Sequence, residues 1–255
     1  MLTPDGVRYL AAANRRVARP FHLRWLLPTV LGDNQRRWEY CTRISVLAIG
    51  ILCGLYTHSI WMMTVCALPG ITFNWRHPVL VDAPAMATAL AAAVVFPHCW
   101  PAAVALALLS GTIRETAPIW AAIYAWNPLL LVGLIPVAAR ALQRQGDDVL
   151  DKQNAWILTH PFKASQAFHL GQWSSWQIMI APWAGLVASV AGLTTQLIVA
   201  VTVGYGQLLI ATDSVRLYQW AAPVLALVCV HMLPTWALPL IALSIVFNPF
   251  RGDGL

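Results

Sequence analysis

Charged residues are almost absent from the middle of this chain, and this constrains the fold more than any other feature. Between Arg43 and Arg140, the charged side chains are those of Arg76, Asp82, Arg114 and Glu115. Only 10% of all 255 residues are charged, against about 25% in an average soluble domain. Because a charge exposed to lipid costs several kcal/mol, this scarcity indicates segments that cross a membrane.

The apolar runs are continuous, which favours helices over a barrel. A membrane-spanning strand alternates apolar and polar residues, whereas the runs at 83–96, 101–113 and 117–139 do not alternate. Both helices and closed barrels satisfy their backbone hydrogen bonds in lipid. We therefore predict an all-α fold, a polytopic transmembrane helical bundle of about 6–8 spanning or half-spanning helices, located in the cell membrane as a multi-pass protein.

The chain shows no internal repeat, so we predict a single integral membrane domain over residues 1–255. Residues 1–43 are an interfacial or outer-loop segment, and residues 44–139 are a first helical group. Residues 140–176 are a polar cytoplasmic loop, and residues 177–247 are the C-terminal helices. Within the first part, residues 1–20 place apolar residues at helical spacing among arginines. This pattern predicts an amphipathic helix that lies in the membrane interface.

The uncharged run Ile44–Leu68 leaves two topologies open. Its 25 residues exceed the length of about 20 that one spanning helix needs. However, Thr57, His58 and Ser59 interrupt the run, so it could also form two short helices that turn at His58. One crossing would leave the N-terminus in the cytoplasm, and two crossings would bring it to the outer face.

The remaining charges are predicted to share one face of the membrane. Two crossings separate Asp82 from Arg114, and two more, including a helix over 117–139, separate Glu115 from Asp213. The basic loop 140–176 lies on the opposite side, and the positive-inside rule makes that side cytoplasmic. The charged sites therefore face outward, and Asp5 joins them only if the chain turns at His58.

Each charge near a span is a functional candidate, but each has a structural alternative. A charged residue at a helix end can simply extend its side chain to the interface. For Glu115, the alternative is an ion pair with Arg114 or Arg216 that ties two loops together.

The net charge of +6 comes chiefly from eight arginines in the first 43 residues. Because this basic stretch leads into a membrane segment, it suits membrane lipid or phosphate better than nucleic acid. The histidines show no ligand spacing, so no metal site is predicted. The five cysteines form no CxxC pair, and we interpret them as packing residues.

Two segments near the N-terminus carry a resemblance to a known family. Asp5-Gly6-Val7-Arg8-Tyr9-Leu10 and the later run PFHLRWLLP at 20–28 resemble the first outer loop of the GT-C superfamily of polytopic membrane glycosyltransferases. In that family the loop begins with an acidic residue close behind the first membrane helix. Since Asp5 lies near the start here, the resemblance implies either that the true start lies upstream of Met1 or that the chain is a relative shortened at the N-terminus, which could have lost activity.

Three later segments are similar to the same enzymes. In PVLVD at 78–82 an acidic residue heads a span, and RETAP at 114–118 is a basic-acidic turn before a helix. DSVRLY at 213–218 is a late outer loop ahead of a proline-containing helix. The resemblance implies transfer of a sugar from a polyprenyl-phosphate carrier to an acceptor. Its donor would be a polyprenyl-phosphate sugar, and the reaction would take place at the outer membrane face.

The resemblance also implies roles for individual residues. An inverting transfer needs a carboxylate that takes the proton of the acceptor hydroxyl, and Asp5 is the candidate base. Asp82 is a second carboxylate that orients the acceptor or a divalent cation. Guanidinium groups suit a departing phosphate, which makes Arg24 and Arg216 candidates. The further substrate-binding candidates are Asp213, Arg114 and Glu115.

Two other functions remain open. The chain could be a non-catalytic membrane assembly or channel-like subunit whose charged sites pair with one another or with a protein partner. A small-solute transporter is the weaker alternative, because the two halves of the chain show no visible pseudo-symmetry.

Overall fold

The computed structural model describes residues 4–12, 23–142, 159, 160, 163, 180–207 and 219–249. Every regular element in these ranges is a helix, which confirms the all-α prediction for the described residues. The α-helices are α1 Pro4–Ala12, α2 Leu26–Leu31, α3 Gln35–Thr57, α4 Pro69–Arg76, α5 Asp82–Val95, α6 Trp100–Ile113, α7 Ala117–Ala125, α8 Ile135–Leu142, α9 Thr195–Gly206, α10 Ala222–Met232 and α11 Ala237–Val246. The 3₁₀ helices are η1 Ile60–Ala67, η2 Pro128–Leu134, η3 Ala181–Ala191 and η4 Gln219–Ala221.

The chain divides into two compact units. The first unit comprises Met1–Leu52 and Asn74–Asp151, and the second comprises Cys53–Phe73 and Lys152–Leu255. Helix α3 begins in the first unit and ends in the second. The single integral domain expected from the sequence stays a prediction.

Helix α5 forms the centre of the first unit. Ten of its fourteen residues are buried, and most of them are alanine. Helices α6 and α7 pack against it, and η2 packs against both of those helices. Glycines allow the closest approach, because a side chain at Gly111 would meet the carbonyl of Gly133, and one at Gly133 would meet the carbonyl of Ala107. Small residues therefore set the spacing of this bundle.

Helix α3 ends at a left-handed residue, His58, with φ of 53°. The N–H of Ser59 donates to the carbonyl of Gly54 at 3.0 Å, and that of His58 donates to Leu55 at 3.3 Å. This pair of bonds is the Schellman motif that commonly closes a helix. The run 44–68 is therefore not one continuous helix, since α3 ends at Thr57 and η1 follows. The number of times it crosses the membrane stays a prediction.

The predicted single helix over 117–139 is wrong, because α7 closes in the same way. Trp126 has φ of 49°, and the N–H of Asn127 donates to the carbonyl of Ala122 at 2.9 Å. Pro128 follows, and the residue before a proline is disfavoured in helical conformation. The run therefore divides into α7, η2 and α8.

Helix α3 has the dimensions and surface of a membrane span. Its 23 residues correspond to about 34 Å at 1.5 Å per residue, and among the described helices it alone is long and apolar enough to cross a bilayer. One face packs inward through Trp38, Thr42, Val46 and Ile49, and the opposite face exposes Tyr40, Ile44, Leu47 and Ile51. We call these four exposed residues the apolar stripe.

In the second unit, η1 and η3 pack against α10 and α11. The amide of Asn248 donates to the carbonyl of Ala181 at 2.8 Å, and the backbone N–H of Gly185 donates to the Ser244 hydroxyl at 2.8 Å. These bonds fix the start of η3 against the end of α11. Two polar side chains therefore hold this interface together.

Candidate functional site

A bidentate ion pair joins Arg24 to Glu115. Nε of Arg24 donates to Oε2 of Glu115 at 2.7 Å, and Nη2 donates to Oε1 at 2.6 Å. Arg24 precedes α2, whereas Glu115 lies in the short turn between α6 and α7. Only 13% of the arginine side chain and 22% of the glutamate side chain are exposed. This two-bond geometry is the strongest arrangement available to a guanidinium and a carboxylate.

Tyr9 connects the ion pair to α1 and α3. Nη1 of Arg24 donates to the Tyr9 hydroxyl at 2.5 Å. The ring of Tyr9 stacks on Trp38, with centroids 5.9 Å apart. Nε1 of Trp38 donates in turn to the carbonyl of Gly32 at 2.9 Å. The guanidinium thus bonds to α1 and to the turn between α6 and α7, and Tyr9 links it to α3.

A second ion pair joins Arg114 to Asp82. Helix α5 begins at Asp82 and α6 ends immediately before Arg114, so the pair closes one end of the α5–α6 contact. Both residues are buried, at 6% and 7% exposure, and Nε of Arg114 also donates to the Thr116 hydroxyl at 3.2 Å. A buried charge is tolerated only when it is paired in this way.

The two ion pairs lie next to each other through residues 114 and 115. We call Tyr9, Arg24, Asp82, Arg114 and Glu115 the charged cluster. Its two guanidinium groups and two carboxylates carry no net charge. The hydroxyl of Thr42 on α3 donates to the carbonyl of Pro78 at 2.5 Å, which holds the segment before α5 beside the same part of α3 that contacts Tyr9.

The electrostatics of the cluster keep the Arg24–Glu115 pair charged. Burial alone would raise the pKa of Glu115, but the neighbouring Arg24, with a smaller contribution from Arg114, lowers that pKa from 4.5 to about 2. For Arg24, burial opposes the charged form, yet Glu115 and Tyr9 hold its pKa well above its usual value. The pair is therefore ionised throughout the physiological pH range.

The structure brings together four of the seven predicted site residues: Arg24, Asp82, Arg114 and Glu115. The carboxylate of Glu115 bonds to Arg24, a partner that the sequence did not suggest for it. Of the two partners that were expected, Arg114 bonds to Asp82, and Arg216 lies outside the described residues. Asp5 lies in the first turn of α1, but its side chain is outside the described structure.

The late outer loop lies outside the described residues, and with it Asp213 and Arg216. Sequence reasoning did not select Tyr9 or Trp38 as members of the site. The available signal was the position of Tyr9 four residues after Asp5, which is one turn along the same helix.

In the part of the chain that the structure describes, no three His, Cys, Asp or Glu side chains come together as metal ligands. The divalent cation that the sequence left open stays a prediction. No protein-family model matches this chain, and neither a curated protein nor a solved structure matches it.

Proposed function

We propose that this protein is a membrane glycosyltransferase of GT-C type that moves a sugar from a polyprenyl-phosphate carrier to an acceptor at the outer membrane face. The observation that supports this proposal is the charged cluster. Four of the segments that resemble the family, at 5–10, 20–28, 78–82 and 114–118, contribute to it. Arg24 and Glu115 are 91 positions apart in the chain, so their direct contact is not a consequence of sequence proximity.

The membrane location is supported by the surface of α3. In a soluble protein the outer face of a helix carries polar residues, whereas here Ile44, Leu47 and Ile51 are each more than half exposed. A multi-pass arrangement is part of the proposal. The turn at His58 supports it, because a chain that turns there can return to the face at which α3 began.

In the proposed reaction, Asp5 takes the proton from the acceptor hydroxyl. The acceptor oxygen then forms a bond to the anomeric carbon of the sugar, while the bond from that carbon to the phosphate oxygen breaks. The electron pair of the broken bond leaves with the polyprenyl phosphate. Arg24 and Arg216 stabilise the negative charge of that phosphate, since the guanidinium fork matches phosphate oxygens.

Helix α1 supports the assignment of Asp5. Positions four apart share one face of an α-helix, so position 5 lies on the face that carries Tyr9. Tyr9 is bonded to Arg24, the proposed phosphate ligand. Base and phosphate ligand would then be neighbours, as a reaction at the bond between sugar and phosphate requires.

Glu115, Asp82 and Arg114 are positioning residues in this proposal. Glu115 orients the guanidinium of Arg24, while the Asp82–Arg114 pair fixes the turn that carries Glu115. Asp82 would additionally orient the acceptor or a divalent cation. Asp213 would bind substrate together with Arg216.

The test compares Asp5→Asn with Asp33→Asn, an exposed carboxylate that lies between α2 and α3. Membrane vesicles containing each protein receive polyprenyl phosphate that carries radiolabelled hexoses or pentoses, and transferred label is counted. We expect Asp5→Asn to lose transfer by about 10²–10⁴-fold while it still binds the donor. We expect Asp33→Asn to match the wild type. Full transfer by Asp5→Asn would remove Asp5 as the base.

A second candidate is a non-catalytic assembly subunit. It is favoured by one observation, that the cations and anions of the charged cluster bond to one another. Purification in mild detergent separates the two candidates. A stoichiometric protein partner, with neither binding nor turnover of any lipid-linked sugar by the wild type, would establish this function and overturn the enzyme.

A further inference from the structure

Two glutamines of the second unit are buried but incompletely hydrogen bonded. Gln207 follows the last residue of α9 and is 8% exposed, and neither its Nε2 nor its Oε1 has a hydrogen-bond partner. Gln219 begins η4 and is 2% exposed, and its Oε1 also lacks a partner. We call these two residues the amide pair. A buried amide that has lost its bonds to water and formed none in exchange costs free energy.

The start of η3 contacts both the end of α9 and the start of η4. Nε2 of Gln219 donates to the carbonyl of Pro182 at 3.1 Å. The next residue, Trp183, stacks on Tyr205 of α9, with ring centroids 6.3 Å apart. Gln207 follows Tyr205 by two residues, so their Cα atoms are at most about 7 Å apart. Since α9 also packs against η4, the two glutamines belong to one packed region of the second unit.

The backbone at the start of η3 has an unusual conformation. Ala184 has φ of 52° and ψ of −138°, values that a residue with a side chain rarely adopts. Such a conformation persists only where the surrounding contacts hold it, and here the flanking residues Pro182 and Trp183 make those contacts. The region is therefore fixed by its own packing, which reduces the conformational entropy that is lost when a ligand binds.

The unpaired atoms of the amide pair indicate which ligand would satisfy them. They are the amide nitrogen of Gln207, which donates, and the amide oxygens of both glutamines, which accept. A metal cation bonds only to the oxygens, and a phosphate dianion only to the nitrogen, so each would leave part of the pair unsatisfied. A hydroxyl group both donates and accepts. The residues that contact one another at the start of η3 carry no charge, which suits a neutral ligand with several hydroxyls.

We propose that the amide pair binds the hydroxyl groups of a sugar. Gln207 donates through Nε2 and accepts through Oε1, while Gln219 accepts through Oε1 and keeps its bond to Pro182. The choice of a sugar among hydroxyl-rich ligands rests on the proposed function. The site itself goes beyond that function, because it places sugar recognition in the second unit for a sugar that either the lipid or a free acceptor carries.

The test measures binding to the full-length protein by native mass spectrometry, in a detergent that contains no sugar. The probes are polyprenyl phosphate with and without a hexose, and octyl glucoside with octanol as its sugar-free match. They are titrated against the wild type, Gln207→Met and Gln196→Met. Methionine matches glutamine in length but forms no comparable hydrogen bonds. Gln196 is the control because it lies on the same helix and already donates to the Tyr56 hydroxyl at 3.3 Å.

The expected result separates sugar binding from a structural role of Gln207. A hydrogen bond of ordinary net strength changes an affinity about fivefold, and Gln207→Met removes two. We expect this variant to bind the sugar-carrying probes about 25-fold more weakly and the sugar-free probes equally well. Its unfolding temperature should rise, because an unsatisfied buried amide is removed. Gln196→Met should change the affinity for each probe by less than twofold.

The two sugar probes distinguish the sources of the sugar. A loss with the hexose-carrying lipid alone assigns the site to the donor, whereas an equal loss with octyl glucoside assigns it to a sugar that is bound without phosphate. Unchanged affinity of Gln207→Met for both sugar probes would overturn the proposal. A wild type that binds neither sugar probe more tightly than its sugar-free match would also overturn it, and the amide pair would then bind buried water only.

The outcome is separable from that of the transfer assay. Sugar binding that depends on Gln207, in a protein that transfers no label, would remove the transferase and keep the sugar site. Transfer by Gln207→Met with an unchanged KM for the hexose-carrying lipid, together with unchanged affinity for octyl glucoside, would remove the sugar site and keep the transferase.

Discussion

The Arg24–Glu115 pair provides the sharpest test of the charged cluster, through the substitution Glu115→Gln. Glutamine keeps the size of the side chain but leaves the buried guanidinium of Arg24 without a counter-charge. The pKa of Glu115 is about 2 against a usual value of 4.5, and a tenfold change in an equilibrium is about 1.4 kcal/mol. The folded protein therefore favours the charged carboxylate by about 3 kcal/mol, which matches the 3–5 kcal/mol typical for breaking a buried pair.

The pH dependence follows from the direction of this pKa change. A carboxylate whose pKa is lowered on folding contributes stability above its unfolded pKa, and the contribution is lost as pH falls through the folded pKa. The wild type should therefore lose about 3 kcal/mol between pH 5 and pH 2 from this group. Glu115→Gln should be less stable by a similar amount at pH 7 and should lack that part of the pH dependence.

The assay is equilibrium unfolding of the purified protein in detergent at pH 7 and at pH 3. Glu39→Gln is the matched control, because Glu39 forms an exposed hydrogen bond with Gln35 and a long surface pair with Arg43 at 3.9 Å. It should change stability by about 0.5 kcal/mol or less. The double variant Arg24→Gln/Glu115→Gln should recover part of the loss, since it removes both charges. Equal stability of Glu115→Gln and wild type at both pH values would refute the pairing.

Two further predictions concern the ends of helices. Asp82→Asn leaves Arg114 buried without its counter-charge and should cost about 3–5 kcal/mol, seen as a lower yield of folded protein in size-exclusion chromatography, while Asp33→Asn should give the wild-type yield. His58→Gly should raise the unfolding temperature slightly. Glycine removes a left-handed strain of about 1–2 kcal/mol, and the greater entropy of the unfolded chain with glycine offsets part of this gain. The β-branched variant His58→Val should lower the unfolding temperature, and a higher temperature for that variant would contradict the left-handed turn.

Helix-terminating residues in the sequence were sufficient to predict the bounds of two helices. The runs 83–96 and 101–113 correspond to α5 at 82–95 and α6 at 100–113 within one residue at each end. Pro97, Pro101 and the Arg114-Glu115 pair mark these boundaries, and such residues act on the backbone within a few positions.

The run 117–139 shows where hydropathy fails. Its composition is uniformly apolar, yet Trp126 adopts a left-handed conformation and the helix stops. The signal was Asn127-Pro128, which a hydropathy pattern does not register. The same limit applied to 44–68, where composition did not locate the end of α3 and the Schellman motif at His58 fixes it.

The sequence by itself determined that the chain is helical and apolar, because both properties are sums over neighbouring residues. It also identified Asp82, Arg114 and Glu115 as notable, since charges are rare between Arg43 and Arg140, whereas Arg24 was selected through the family resemblance. Only the tertiary structure decided which of them bond, because partners 91 and 32 positions apart are brought together by the packing of α5, α6 and the segment before α2. Ion pairing depends on distances of a few ångströms, and those are set by the whole fold rather than by any local pattern.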